Sequence, residues 1–287
     1  MDLIQIPALR NPVMVIAFSG WNDAGEAATG ATSHLLGAWT GEEFDTIPEL
    51  IAEVDPEDFY DFQVNRPMVN IDESSIRALT WPGAEVFALA TPQFPHDFLV
   101  VRGVEPSMKW KRFTSELLDL ADDCEVSMVV TLGAMLADTP HTRPITVTGT
   151  SAHPEIAKRL EVEVSKYEGP TGILGVIADS CLRRGIDALS LWAAIPHYAS
   201  NSPSPKATLA LINSLEDFLS ISIPQERLLD ESLEWELEVS ELAREDVEVS
   251  EYVKALEESK DATGLPEATG ESIARELERF LRRQNEK

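Results

Sequence analysis

The sequence predicts an α/β fold, a sheet covered by helices, followed by a helical C-terminal extension. Three observations predict it. Over residues 1–224, apolar strand-like runs alternate with amphipathic helical patterns, the signature of a sheet covered by helices. Residues 13–18 are continuously apolar, as expected of a central strand buried on both faces. Residues 225–287 shift towards Glu, Leu, Arg and Ser, a composition that reads as helix. The domain organisation expected is therefore an α/β core over 1–224 and an acidic helical extension over 225–287.

The elements follow in order. After the strand at 13–18, Ser19-Gly20-Trp21-Asn22-Asp23 turns into a helix over 24–39. Asp23 and Glu26 stand three apart at its start, the spacing of a capping box. Residues 41–65 carry nine acids and no base and read as an acidic segment with one or two peripheral strands. Strands are expected at 85–90 and 98–104. Ser107 then opens a helix with Trp110, Phe113, Leu117 and Ala121 on one face. Further strands are expected at 126–132, 145–148 and 188–195. Leu174, Ile177 and Cys181 mark a helix ending at Gly185, a residue suited to the left-handed position after a helix. Ser204-Pro205 starts another, with a cap and a proline at the first helical position. In the extension, Leu229/Leu233/Leu237 and Ile273/Leu277/Phe280/Leu281 form apolar stripes, which a solitary helix cannot bury. They are expected to pack on the core or on a neighbouring subunit.

Charge narrows the function classes. Fifty acids against 23 bases give a formal net charge of −27, a field that repels nucleic-acid phosphates and anionic membranes. The longest charge-free stretch, 188–205, is broken by three prolines and is no transmembrane helix. Pro7 and Pro12 interrupt the start, so no secretory leader is expected. Cys124 and Cys181 lie far apart with no CxxC, which fits a reduced, cytoplasmic protein.

No constellation specifies a reaction. Gly20 to Gly25 has the GxxxxG half of a phosphate loop, but Glu26 and Ala27 stand where Lys and Ser/Thr are needed. Asp23 adds negative charge there. The five histidines, at 34, 96, 141, 153 and 197, form no zinc-ligand spacing, so neither metal nor other cofactor is expected. Gly149-Thr-Ser-Ala-His153 lacks the second glycine of a nucleophile elbow. His141, Arg143 and His197 lie just beyond predicted strand ends, where open α/β sheets bind ligands. Arg102 and Glu105 flank a strand-to-helix junction and read as an ion pair or an anion clamp. The candidate cleft or interface comprises Trp21, Asn22, Asp23, Arg66, Arg102, Glu105, His141, Arg143 and His197, with no residue assigned to catalysis.

Six blocks in order carry a family resemblance. They are Phe18-Ser-Gly-Trp-Asn-Asp-Ala-Gly25, Asp61-Phe-Gln-Val-Asn-Arg-Pro67, Arg102-Gly-Val-Glu-Pro-Ser107, Thr131-Leu-Gly133 with Pro140-His-Thr-Arg143, Tyr167-Glu-Gly-Pro-Thr-Gly172, and Leu191-Trp-Ala-Ala-Ile-Pro-His-Tyr198. From about residue 10 to about residue 222 the chain resembles the proteasome assembly chaperone 2 family in its long actinobacterial form. The resemblance implies a three-layer α/β/α sandwich with a mostly parallel or mixed central sheet, phosphorylase/hydrolase-like, together with self-association as a trimer and an assembly-chaperone or adaptor role without catalysis. Its partners would be the protein itself and a proteasome-related or other protein. Some relatives dock through a C-terminal hydrophobic-Tyr-any tripeptide, a pattern absent from Gln284-Asn285-Glu286-Lys287. The reading from another class is a small-ligand enzyme of the phosphorylase/hydrolase fold, with its site at the C-terminal edge of the strands. An enzyme should gather His141, Arg143, His197 and the 20–25 loop into one pocket. A binding protein should disperse or pair them and expose an apolar patch instead.

Overall fold

The elements run in chain order as follows. The first are β1 (Asp2–Leu3), β2 (Val13–Ser19), α1 (Ala27–Ala38), β3 (Glu49–Glu53) and α2 (Pro56–Phe59). Next come β4 (Met68–Ile71), β5 (Arg77–Thr80), β6 (Ala84–Leu89), β7 (Phe98–Val104) and α3 (Trp110–Asp123). Then follow β8 (Met128–Ala137), β9 (Val147–Ser151), α4 (Pro154–Arg159), β10 (Glu163–Val164) and α5 (Ile173–Arg184). The last are β11 (Ala188–Pro196), α6 (Pro205–Leu219), α7 (Glu226–Glu245) and α8 (Val247–Gly264). The computed structural model describes residues 1–40, 46–71, 76–201 and 203–264. The expected stripe at Ile273, Leu277, Phe280 and Leu281 lies outside the described residues.

Nine strands form one mixed sheet in the order β1-β3-β6-β7-β2-β8-β11-β9-β10, so the expected α/β class with a helical C-terminal part is what the chain adopts. β2 pairs in parallel with β7 and with β8, while β6 runs antiparallel to β7 and to β3. Every residue from Val13 to Phe18 is buried, which is why that run carries no polar side chain. The described residues group into two compact units. The first comprises Met1–Asn22, Thr40–Leu132 and Thr150–Ser190; the second comprises Asp23–Trp39, Gly133–Gly149 and the chain from Leu191 onward.

In the first unit, α3 packs on the sheet through Phe113, whose ring meets Phe18 of β2 and Phe59 of α2 edge to face. α3 also packs against α5. Gly185 ends α5 at φ +72 and its N–H returns to the last turn, the expected left-handed cap. In the second unit α1 packs on α6, α6 on α7 and α7 on α8. Pro205 opens α6 as expected. The Ser204 hydroxyl does not cap it: that oxygen is buried without a hydrogen bond among the described residues.

Several expected boundaries move, each for a local reason. Residues 24–26 form a separate 3-10 turn, because Gly25 and Glu26 both take left-handed angles (φ +59 and +50). The helix therefore begins at Ala27, not at Ala24. Asp23 still serves it: its carboxylate accepts from the Ala28 N–H at 2.7 Å, from the Thr29 N–H at 3.3 Å and from the Thr29 hydroxyl. Glu26 stands at the helix cap position itself, exposed, and closes no reciprocal box. Lys109 is likewise left-handed, so α3 starts at Trp110 instead of Ser107. β9 lies two to three residues later than the expected 145–148 strand. β3 is the second strand of the main sheet, near one edge, between the two-residue β1 and β6.

Two further departures matter more. β4 and β5 pair as an unexpected antiparallel two-stranded hairpin outside the main sheet. On α7, Leu229, Leu233 and Leu237 are exposed, so of the two covers expected for them the described part of the core is not the one. The helix seats itself through Leu228, Ser232, Trp235 and Ala243, whose spacing of three, four and eight makes a different face.

Candidate functional site

The nine candidate residues divide between the two units. In the first, Glu105 is the organising side chain. Its backbone N–H donates to the Ser19 carbonyl at 3.0 Å, which fixes the junction after β7 beside the end of β2. Its Oε1 accepts from the Asn22 amide at 2.8 Å and from the Ile173 N–H at 3.1 Å. Ile173 is the first residue of α5, so a carboxylate meets a helix N-terminus, where charge and free donors favour it. Asn22 is buried, and a Cβ on Gly172 would come within 2.4 Å of its Oδ1. Thus Gly172 of the Tyr167–Gly172 block is needed for close approach.

Arg102 does not pair with Glu105. It lies 3.4 Å from Glu85 on the neighbouring strand and stacks over the Phe87 ring at 5.0 Å. The register explains this: Arg102 stands opposite Glu85 in the β6–β7 ladder, and residues 102 and 105 point to different faces of an extended chain. Trp21 is 96% exposed, and Arg66 is exposed as well.

The second unit gathers His141, Arg143 and His197 on elements supplied by the loop after β8, the end of β11, and helices α7 and α8. His141 is 1% exposed. Its Nδ1 lies 2.9 Å from the Tyr198 hydroxyl and its Nε2 lies 2.9 Å from the Ser240 hydroxyl of α7. Burial, reinforced by the nearby Lys206 ammonium, holds its pKa below the usual histidine value. Burial likewise pushes the Tyr198 phenol up to about 12. Lys206 donates to the His141 carbonyl and to Glu236 of α7. Arg143 forks onto Asp261 of α8 at 2.8 and 2.7 Å, and that paired hydrogen bond raises the guanidinium pKa. His197 lies 3.2 Å from Asp138, which also accepts from the Tyr252 hydroxyl.

A Ser–His contact at this distance is the geometry of an activated nucleophile. Here the ring is buried and its Nδ1 meets the Tyr198 hydroxyl in place of the carboxylate that orients a triad histidine. Each cation in the cluster faces an acid from the loop or from α7 and α8. The arrangement clasps the two C-terminal helices to the loop that carries His141. A cavity of about 540 Å³ beside it is lined by Arg143, Lys206, Asn213, Ser214 and Glu236, among others. Among the described residues, no group of three or more His, Cys, Asp or Glu could hold a metal ion.

Sequence reasoning passed over Tyr198, Ser240, Lys206 and Glu257, whose Oε1 lies 3.4 Å from the Arg143 guanidinium. Tyr198 stood at the end of a motif block, but nothing in spacing could pair position 141 with position 240. The glycines at 20 and 25 serve the backbone: both have positive φ, and a Cβ on Gly25 would meet Ser204 at 2.9 Å.

The depressed His141 pKa has a consequence for stability. The unfolded chain takes up a proton near pH 6.5, whereas the folded chain resists it to lower pH. Stability is therefore fully present above about pH 6.5 and is lost as pH falls below it. Denaturant midpoints measured from about pH 7.5 to about 5.5 should fall, by at most about 1.4 kcal/mol per pH unit for one group. His141→Gln should flatten part of that slope. A variant as pH-sensitive as the wild type would contradict the assignment.

The model of the PAC2 family matches residues 17–243. A PAC2 family protein from Streptomyces avermitilis is 48% identical, with a TM-score of 0.76, covering 84% of this chain and 99% of that one. A proteasome-assembly chaperone homologue from Mycobacterium tuberculosis is 43% identical, with a TM-score of 0.75 and the same two coverages. An archaeal proteasome activator from Pyrococcus furiosus shares the fold at 16% identity and a TM-score of 0.65, over 84% of this chain and 96% of that one. No curated protein matches the chain.

Proposed function

The chain belongs to the PAC2 family, and on that premise we propose that it works without catalysis, by binding protein. It acts as an assembly-chaperone-like or adaptor protein that associates with copies of itself, as a trimer, and takes a proteasome-related or other protein as partner. Residues 1–224 are its core and 225–287 its acidic helical extension. The similarity to a proteasome-assembly chaperone homologue supports the class of role. The net charge of −27 disfavours nucleic acid and anionic membranes as partners. Among the described residues no helix is long and apolar enough to cross a membrane. Two buried free cysteines suit a cytoplasmic location.

The observation that carries this reading is the β4–β5 hairpin. Val69 stands opposite Leu79, and Ile71 opposite Arg77, so Val69, Ile71 and Leu79 share one face. All three are exposed, as are Met68, Ile76 and Trp81. A lone two-stranded hairpin is marginal in water, and an exposed apolar face of this kind marks a protein-binding surface. Trp81 is braced by the Phe62 ring, 4.9 Å away, so the base of the hairpin is held in place.

The test is capture from native lysate with the wild type and with an Ile71→Glu/Leu79→Glu variant. Both changes lie on exposed positions, so the fold should survive. One protein should be retained in near-stoichiometric amount by the wild type and be lost from the variant. Identical retention by both would contradict the hairpin's role.

A further inference from the structure

A groove of about 420 Å³ runs along α7, and every residue lining it belongs to the second unit. Its apolar lining includes Tyr198, Trp235, Val239 and Leu242. Trp235 is buried, whereas Leu242 is 62% exposed. The Tyr198 hydroxyl is already engaged by His141, which leaves its ring as the surface offered to a ligand.

Glu231, Glu234 and Glu238 line the same groove. They fall at i, i+3 and i+7, so they share one edge of the helix over about 10 Å. Glu231 is paired with Arg227, one turn back. Glu234 and Glu238 are exposed, and among the described residues no ion pair or hydrogen bond reaches their carboxylates. Asp230, Glu234 and Glu238 also follow one another at i, i+4, where like charges destabilise a helix. The helix thus keeps an unfavourable acidic row beside an apolar trough.

The two features together select the occupant. Aromatic rings beside carboxylates suit lysine and arginine, whose apolar stems pack in the trough while their heads meet the acids. A row two turns long calls for a linear ligand with several such cations, laid along the groove. A second copy is a poor match. Its own α7 carries eight acids and two bases, and the whole chain has a net charge of −27, so its charge would not complement the groove.

We propose that this groove docks a basic amphipathic segment of a partner protein, in which lysines or arginines bracket leucine-like side chains. The inference deepens the protein-binding reading, on which it rests, and uses a surface other than the β4–β5 hairpin. If such a segment fails to bind while the hairpin still retains its partner, this inference falls and that reading stands.

Fluorescence anisotropy on the full chain tests it at about 0.15 M salt. The probe is a labelled leucine–lysine peptide with lysines at i, i+3 and i+7 beside a leucine face. Saturable binding is expected. Glu234→Gln/Glu238→Gln should weaken it about fivefold, and Leu242→Ser about tenfold. All three positions are exposed, so the fold should survive. Glu53→Gln/Glu57→Gln, which removes two exposed acids of the first unit, should leave binding unchanged. Absence of saturable binding would overturn the proposal. So would equal losses from both glutamate pairs, or equal binding of a peptide with serine in place of leucine, since either means that an acidic surface merely attracts cations. A lower mass by light scattering for Leu242→Ser, with peptide binding intact, would overturn it in favour of a second copy as occupant.

Discussion

Gly103→Ala is expected to destabilise the protein by about 3 kcal/mol or more, the sum of a strained backbone and an overpacked strand pair. Gly103 has φ +153, in a region that side-chain-bearing residues rarely enter. A Cβ there would lie 2.2 Å from the Gly83 carbonyl oxygen and 2.5 Å from the Ala84 Cα. Both are backbone atoms of the strand that Gly103 pairs with, since Ala84 is its register partner. Relief would require moving β6 away from β7, and the Val104 N–H to Gly83 carbonyl bond would be lost with it. The damage would propagate two residues on, to Glu105, which holds Asn22 and the start of α5. Denaturant unfolding measures the loss. A change below about 1 kcal/mol would mean that the strands part easily and that this glycine is not required.

Phe113→Ala comes next, at an expected cost of about 3–5 kcal/mol. Its ring sits 5.7 Å from the Phe18 ring and 5.4 Å from the Phe59 ring, both edge to face, and all three side chains are fully buried. Truncation removes the contact that joins β2, α2 and α3 and leaves a void that a close-packed interior cannot fill. Edge-to-face pairing adds to the loss beyond the buried area. Phe113→Leu keeps most of the volume and should cost less than about 1.5 kcal/mol. The ratio of the two losses, read from the same unfolding experiment, separates cavity formation from mere aromatic preference. Equal losses would contradict the packing account.

Much of this fold is legible in the sequence because its signals are local. The β2 run is uninterrupted by polar residues, Gly185 stops α5, and Pro205 opens α6; each rests on a few adjacent positions. The misplaced helix starts at Ala27 and Trp110 turn on left-handed backbone at Glu26 and Lys109, residue types that rarely announce it. The β4–β5 pair escaped because its strands have only four residues each, too short for an alternating pattern to stand out.

The candidate residues show the same division. That His141, Arg143 and His197 lie beyond strand ends follows from the strand pattern. That their charges and ring nitrogens are taken up by Ser240, Glu257, Asp261 and Asp138 depends on contacts across as many as 118 positions, which no spacing rule encodes. Glu105 is the clearest instance. Sequence proximity suggests Arg102 as its partner, whereas the strand register gives Arg102 to Glu85 and leaves Glu105 for Asn22 and Ile173.

The central claim is that this protein works through association with protein, beginning with copies of itself. Light scattering on the full chain at micromolar concentration tests it most directly. The account predicts a mass three times 31.7 kDa. A wild-type mass of 31.7 kDa would contradict it.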